Sequence, residues 1–331
     1  MSKNNRRNFL KKVGLGSTAT LVTPESFVFK ASEPLKNGNK VQIGFITDVH
    51  HGLCPDALLR LEIFLNEAYL RELDFIIQGG DFCHPNEQGK ECIDLWNSFS
   101  GDKYHVLGNH DMDKATKAET MAFYGMANSY YSFDKEDFHF IVMDGNYIKK
   151  DGSYHDYGHA NFYIEQENRS LVHPDQIDWL REDLDKTDKP TIIISHQAFD
   201  EIWDGWSSPS RFSVRKVIDD ANNNEFQKVI ACFCGHHHLD AHSIINDVHY
   251  FQMNSASYYW AGKGYGSSGN MAIYDEPIFA FLTIDPSGKI EIEGRSGQFR
   301  SPTPLELNHP DAARLSASIN NKSIQFNTNK L

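Results

Sequence analysis

The chain has 331 residues, of which 40 % are hydrophobic and 12 % aromatic. That is enough apolar material for one large α/β domain or two small ones, and it excludes disorder throughout. Its 45 acidic against 32 basic residues leave a formal charge of −13, which speaks against the basic surface of a protein that binds nucleic acid polymers. Sixteen histidines are many for this length. They gather in stretches such as His50-His51 and His236-His237-His238, where neutral imidazole can serve as a metal ligand.

The chain begins with Asn4-Asn5-Arg6-Arg7-Asn8-Phe9-Leu10-Lys11-Lys12 and a modest apolar run, Val13 to Val22, too short to span a membrane and suited to a signal h-region. Paired arginines, Phe-Leu after one spacer and a trailing lysine resemble a bacterial twin-arginine export signal. That resemblance implies a signal peptide over residues 1–31, cleaved between Ala19 and Ala31, and a periplasmic or secreted, distinctly acidic mature protein. No segment reads as a transmembrane helix.

Val41-Gln42-Ile43-Gly44-Phe45-Ile46-Thr47-Asp48 has the pattern of a buried strand ending in a carboxylate, and Pro55 to Leu70 carries apolar residues at helical spacing. Asp74-Phe75-Ile76-Ile77 is a second strand running into Gly79-Gly80-Asp81. A weaker helix spans Ile93 to Phe99, and a third strand, Tyr104 to Leu107, runs into Gly108-Asn109-His110-Asp111. Beyond Tyr130 hairpin-like strands are expected at Tyr131-Ser132-Phe133 and His139 to Met143, then a polar, aromatic insertion from Tyr147 to Ser170. Pro174 opens an amphipathic helix through Leu184. Pro190 to Ser195 is a strand ending at His196, and Lys228 to Cys234 a strand ending at Gly235-His236-His237-His238, with a helix over Phe212 to Ala221 between them.

Cys232-Phe233-Cys234 lies within that last strand, where period-two spacing puts both thiols on one face. Five cysteines are too few and scattered for a disulfide scaffold. His242 to Met253 and Ile278 to Ile292 look like antiparallel strands, the latter turning at Asp285-Pro286-Ser287-Gly288. Residues 301–331 form a polar tail without a core pattern.

Strands alternating with helices predict a mostly parallel sheet, in which polar residues just past the strand C-termini line the site. Taken in order, those strand-end motifs are Asp48-x-His50, Gly80-Asp81, Gly108-Asn109-His110-Asp111, His196 and Gly235-His236-x-His238. Each alone is weak; five in order are specific. Together they resemble the signature of the calcineurin-like metallophosphoesterases, over roughly Val41 to Arg300 and including the Gln176-Ile177-Asp178-Trp179-Leu180 helix typical of bacterial members.

The resemblance implies a two-sheet α/β/β/α sandwich over residues 40–300, with a dinuclear metal site at strand C-terminal ends. By it, Asp48, His50, Asp81 and His238 hold one metal, and Asp81, Asn109, His196 and His236 the other, with Asp81 bridging. A hydroxide bridging the pair is the implied nucleophile. Mixed oxygen and imidazole ligands suit Mn, Fe or Zn. His110 contacts the phosphate and protonates the leaving oxygen, while Asp111 orients and charges it. His237 points away from the metals.

The activity so implied is hydrolysis of a small-molecule phosphoester, foremost a phosphodiester of a nucleotide or other small molecule. A phosphomonoesterase resembling purple acid phosphatases is the alternative within the class. A non-catalytic binding scaffold should lack ligands, and all seven positions are filled; a DNA nuclease is disfavoured by the acidic charge. Gly80-Asp81 is followed by Phe82-Cys83-His84, an unusual run on that side of the site. Three aromatic segments, Tyr154 to Tyr163, Trp203 to Trp206 and Tyr258-Tyr259-Trp260, either stack a ring of the substrate near the metals or anchor long loops.

Overall fold

A computed structural model describes residues 38–161, 164–203, 205–222, 227–261 and 271–327; the expected export signal lies outside them. The first apolar run forms β1 (Val41–Ile46), and the amphipathic stretch after it forms α1 (Ala57–Tyr69). Ala57, Leu61, Phe64, Leu65 and Ala68 are buried at the three- and four-residue intervals that place them on one helix face. β2 (Phe75–Gln78), α2 (Glu87–Asn97) and β3 (Asp102–His105) follow. Side chains alternate across these strands: Ile43, Phe45, Phe75 and Ile77 face a central core, while Ile46 and Ile76 pack with α1 and α2. Both faces are covered, which is why the strands read as unbroken apolar runs.

After α3 (Lys117–Tyr124) the chain builds a second sheet from β4 (Tyr131–Lys135) and β5 (Phe138–Met143). A hairpin of β6 (Tyr147–Lys150) and β7 (Ser153–Asp156) occupies the aromatic insertion. Next come α4 (Pro174–Lys186), β8 (Thr191–Ser195), α5 (Arg211–Asn222) and β9 (Val229–Cys234), then β10 (Ala241–Ile245) and β11 (Val248–Gln252). Pro174 stands in the first turn of α4, as expected, and the His173 ring accepts the Asp175 N–H there at 3.2 Å. A two-stranded ribbon of β12 (Tyr258–Trp260) and β13 (Met271–Ile273) precedes β14 (Ala280–Asp285), β15 (Lys289–Gly294) and β16 (Lys322–Gln325).

One sheet runs β16-β15-β14-β1-β2-β3 and the other β10-β11-β9-β8-β5-β4. β1, β2 and β3 are parallel, as are β5, β8, β9 and β11, whereas the remaining members pair antiparallel. The inner faces meet through Phe75 against Phe140 at 5.2 Å and Phe45 against Phe233 at 6.2 Å between ring centroids. On the outer face of the second sheet Leu180, Leu184, Val214 and Ile218 from α4 and α5 pack on Ile141 and Ile193. The result is the α/β/β/α sandwich expected.

Residues after Arg300 depart from the expected polar tail. β16 pairs Ile324 with Ile290 at the edge of the first sheet, and Ala317, Ile319 and Phe326 are buried in the central core. A strand at a sheet edge buries one face only, so its apolar residues are sparse and widely spaced in the sequence. The five cysteines are buried free thiols. No helix among the described residues is long and apolar enough to cross a membrane.

Candidate metal centre

The strand ends β1, β2, β3, β8 and β9 bring the five motifs together. Each apolar run stops where its next residues leave the sheet in sharp turns. Asp48, His50, Asp81 and His238 have φ of 52° and His236 of 70°, the left-handed region that costs a non-glycine residue about 1 kcal/mol or more. Backbone bonds from Asp48 N to Gly80 O (3.0 Å) and His50 N to Asp81 O (2.9 Å) hold the β1 and β2 turns against each other. A Cβ at Gly108 would collide with the backbone nitrogen and Oδ1 of Asp81, and one at Gly235 with Thr47 Oγ1 and Asp48 Oδ2. These glycines therefore permit close approach of one ligand loop to the next.

Two groups of ligand atoms result: Asp48, His50 and His238, and Asp81, His196 and His236. Asp81 Oδ2 lies 3.1 Å from His196 Nε2 and 3.7 Å from His50 Nε2, so it faces both groups. Asp81 Oδ1 is turned away and accepts the His110 N–H at 2.7 Å. In the first group His238 donates from Nδ1 to the Tyr258 carbonyl at 2.5 Å. Its Nε2 therefore presents a lone pair, 3.1 Å from Asp48 Oδ1 and 3.2 Å from His50 Nε2. In the second group His196 donates from Nδ1 to Gly79 O at 2.9 Å, which leaves Nε2, facing Asp81 Oδ2 and His236 Nδ1 at 3.1 and 3.3 Å, free to ligate a cation in place of a proton. Acceptors this close on both sides of each group call for a cation between them, and backbone carbonyls fix the ring tautomers as ligating histidines require. Asn109 Oδ1, which lines the same cavity as Asp81 and His236, is buried without a hydrogen-bond partner among the described residues. The donor set fits two cations with mixed oxygen and imidazole ligands.

Electrostatics show the same demand. Burial opposes a proton on His196, yet Asp81 and Asp48 hold its pKa up at about 10. Burial would raise Asp48, but His238 and His196 keep it down at about 2, and His196 and His110 likewise hold Asp81 well below the carboxylate range. A proton here does what a bound cation would do. Burial pushes His50 and His236 well below the usual imidazole value, leaving both neutral and able to ligate.

His110 stands at the edge of both groups, its ring 5.3 Å from that of His50. Burial disfavours its charge, but Asp81 and Asp113 raise its pKa to about 9. The expected partner, Asp111, does not meet it. Asp111 is buried and accepts the backbone N–H groups of Gly108 (2.8 Å), Asp81 (3.2 Å) and Phe82 (2.6 Å), with the Tyr124 hydroxyl 2.8 Å away. The carboxylate beside His110 Nδ1, at 2.7 Å, belongs to Asp113. Residues 110–112 form a 3₁₀ turn, which eclipses i with i+3 and sends i+1 to another side. Asp111 is thus a staple between the β2 and β3 loops, and Asp113 is the residue missed from sequence; the 3₁₀ turn gives no periodicity to read.

A cavity of about 380 Å³ opens over Asp81, Asn109, His110, His236 and His238. Tyr157, Trp203, Trp206, Tyr259 and Trp260 wall it, so all three aromatic segments reach the site, and His309 and Asp311 from the C-terminal segment line it as well. Phe82 turns the other way, into a buried cluster with Trp96 at 5.3 Å and Tyr124 at 6.2 Å; the unusual run after Asp81 is a core anchor. His237 belongs to neither ligand group. Its Nδ1 faces Gln252 Oε1 at 3.1 Å, and Gln252 in turn donates to the buried Asp200.

The sequence profile of the calcineurin-like phosphoesterases matches residues 41–240 of the chain. No curated protein matches. Among solved structures, a dimetal phosphatase from Danio rerio is similar with 12 % identity and a TM-score of 0.61, over 89 % of this chain and 100 % of that one. GAP50, the anchor in the inner membrane complex of Plasmodium, is similar with 15 % identity and a TM-score of 0.55, over 87 % of this chain and 90 % of that one. Those likenesses concern the fold. With the profile covering more than half of its length, the chain belongs to the calcineurin-like phosphoesterase family and is a metal-dependent phosphoester hydrolase.

Proposed function

We propose that this enzyme hydrolyses a phosphodiester of a nucleotide or another small molecule. One observation carries this: Asp81 Oδ2 faces both ligand groups, 3.1 Å from His196 and 3.7 Å from His50, and Asp81 lines an aromatic-walled cavity large enough for the alcohol part of an ester. Two bound metal ions, Mn, Fe or Zn, would activate water at neutral pH and neutralise charge on the phosphoryl oxygens. Asp48, His50, Asp81 and His238 would hold one, and Asp81, Asn109, His196 and His236 the other. His110 keeps one proton on Nδ1 toward Asp113 and, while charged, carries a second on Nε2 for the leaving oxygen. Asp81 Oδ1 positions it through its backbone N–H. The aromatic walls exclude water and orient the ester.

A monoester would leave those walls without a second substituent to contact. Metal-loaded protein assayed on matched phosphomonoesters, diesters and pyrophosphate esters should favour the diester. Faster turnover of monoesters throughout would replace this proposal with a phosphomonoesterase. We also propose that residues 1–31 direct bacterial export to the periplasm or beyond, which the arginine pair supports.

A further inference from the structure

His309 and Asp311 line the cavity and lie outside the stretch matched by the family profile, residues 41–240; this pair is the C-terminal rim. Their segment is tightly braced. His309 N–H donates to Pro304 O at 2.9 Å and Ala312 N–H to His309 O at 3.1 Å. The His309 ring stands edge-on to Tyr259 at 5.3 Å, and the Arg314 guanidinium lies 5.7 Å over Trp203. The segment is therefore anchored to two of the aromatic walls.

Hydrogen bonding decides what this rim presents. The Asp311 N–H donates to His309 Nδ1 at 3.2 Å, so that nitrogen is the acceptor of the neutral ring and Nε2 carries the proton. The Asp311 carboxylate can only accept, and its ion pair with Arg314, at 3.8 Å, is too long for a hydrogen bond. A donor and an acceptor thus stand two residues apart on the lining of a cavity walled by tryptophan and tyrosine. A flat ring lying against those walls stacks whatever its identity; its edge must offer an acceptor and a donor to satisfy the rim.

We propose that the C-terminal segment is a specificity element, in which His309 and Asp311 read the edge of an aminated planar heterocycle carried by the alcohol part of the substrate. Adenine, with a ring nitrogen acceptor beside an exocyclic amine, has the right order; hypoxanthine, with an N–H beside a carbonyl, opposes it at both positions. The specificity presupposes that the metal groups at the cavity floor are a phosphoester site.

The experiment measures kcat/KM of the metal-loaded protein on the p-nitrophenyl esters of adenosine 5′-phosphate and inosine 5′-phosphate, with methyl p-nitrophenyl phosphate as a ringless control. The wild type should prefer the adenosine ester by roughly tenfold or more, mainly through KM, since each mismatch leaves a polar group unpaired. Asp311→Asn, which can turn either a donor or an acceptor to the ring, should bring the preference within about twofold and cost the methyl ester far less than the adenosine ester. His309→Phe, which keeps an aromatic edge on Tyr259, should also weaken it. Equal wild-type rates on the two nucleoside esters, a preference that survives Asp311→Asn, or an equal loss on all three esters would overturn the proposal. Calorimetric binding of adenosine and inosine 5′-phosphates separates the two levels. If nothing is hydrolysed but adenosine 5′-phosphate binds tighter and Asp311→Asn abolishes the difference, the phosphodiesterase activity fails and the specificity stands; if neither discrimination nor turnover is seen, both fail.

Discussion

Asp81 is the residue on which both ligand groups converge, because its Oδ2 faces His196 and His50 together. Asp81→Asn keeps the shape and removes the charge that holds two cations close. Metal analysis should show less than two equivalents bound, and turnover should fall by on the order of 10³-fold, beyond the roughly 10–100-fold typical of losing a residue that only supports a ligand. Two equivalents with a normal rate would show that Asp81 does not bridge. That the seven ligand candidates follow strands was legible in the sequence, because a strand end is a place that primary structure reveals, whereas their assignment as ligands came from the family resemblance. Asp113 was not legible, since only the 3₁₀ turn brings it over His110.

Asp113→Asn and Asp111→Asn should therefore behave differently. Asp113 raises the pKa of His110, so its loss should lower it, moving the alkaline limb of the rate profile to lower pH by on the order of one unit. An alkyl ester should lose about 10–100-fold and an activated aryl ester much less. Asp111→Asn deprives clustered backbone donors of one acceptor oxygen and should instead cost about 1–3 kcal/mol of stability, read as a lowered urea midpoint, with an unshifted pH profile. A shifted limb for Asp111→Asn and none for Asp113→Asn would restore Asp111 to the orienting role.

At the level of elements, the parallel strands were visible as apolar runs and α4 by its proline, whereas α3 and β16 were not foreseen. α3 is short, and its evidence was a capping box: Thr116 accepts the Glu119 N–H while Glu119 accepts the Thr116 N–H. β16 closes the first sheet with one buried face, and Ile319 just before it is 1 % exposed. Ile319→Ala should cost about 2–4 kcal/mol in urea unfolding and leave kcat nearly unchanged; no measurable cost would mean the C-terminal segment is not part of the core.

A second test joins β4, β5 and α4. His139 sits between Asp134 Oδ1 at 2.6 Å and Asp183 Oδ2 at 2.9 Å; burial opposes its charge, but the two carboxylates raise its pKa. A folded pKa above the unfolded value stabilises fully below about pH 6.5, and the contribution is lost as pH rises through the folded pKa. The melting temperature of the wild type should therefore exceed that of His139→Gln by at most a few degrees at pH 6, since Asp134 is exposed and screened, and the gap should close toward alkaline pH. A gap that widens with pH would contradict the charged pairing.

Across the whole molecule, two sheets present their strand ends to one site, and the 41–240 core of the family is completed by a C-terminal segment that was unreadable as structure yet lines the cavity. Apolar periodicity reveals what is buried on both faces; it is silent about a loop whose contribution is two polar side chains at a rim. The acidic chain makes the metals the positive centre an anionic ester needs. For the proposed export, replacing Arg6 and Arg7 with lysine should leave precursor in the cytoplasm, while undiminished periplasmic accumulation would argue against a twin-arginine signal. The central claim, a dinuclear centre that cleaves a phosphodiester, is tested most directly by titrating metal-stripped protein with Mn(II) while following bound metal and hydrolysis of a p-nitrophenyl phosphodiester together. Two equivalents should bind, with activity appearing as the pair is completed; full activity in the stripped protein, or saturation at a single equivalent, would contradict it.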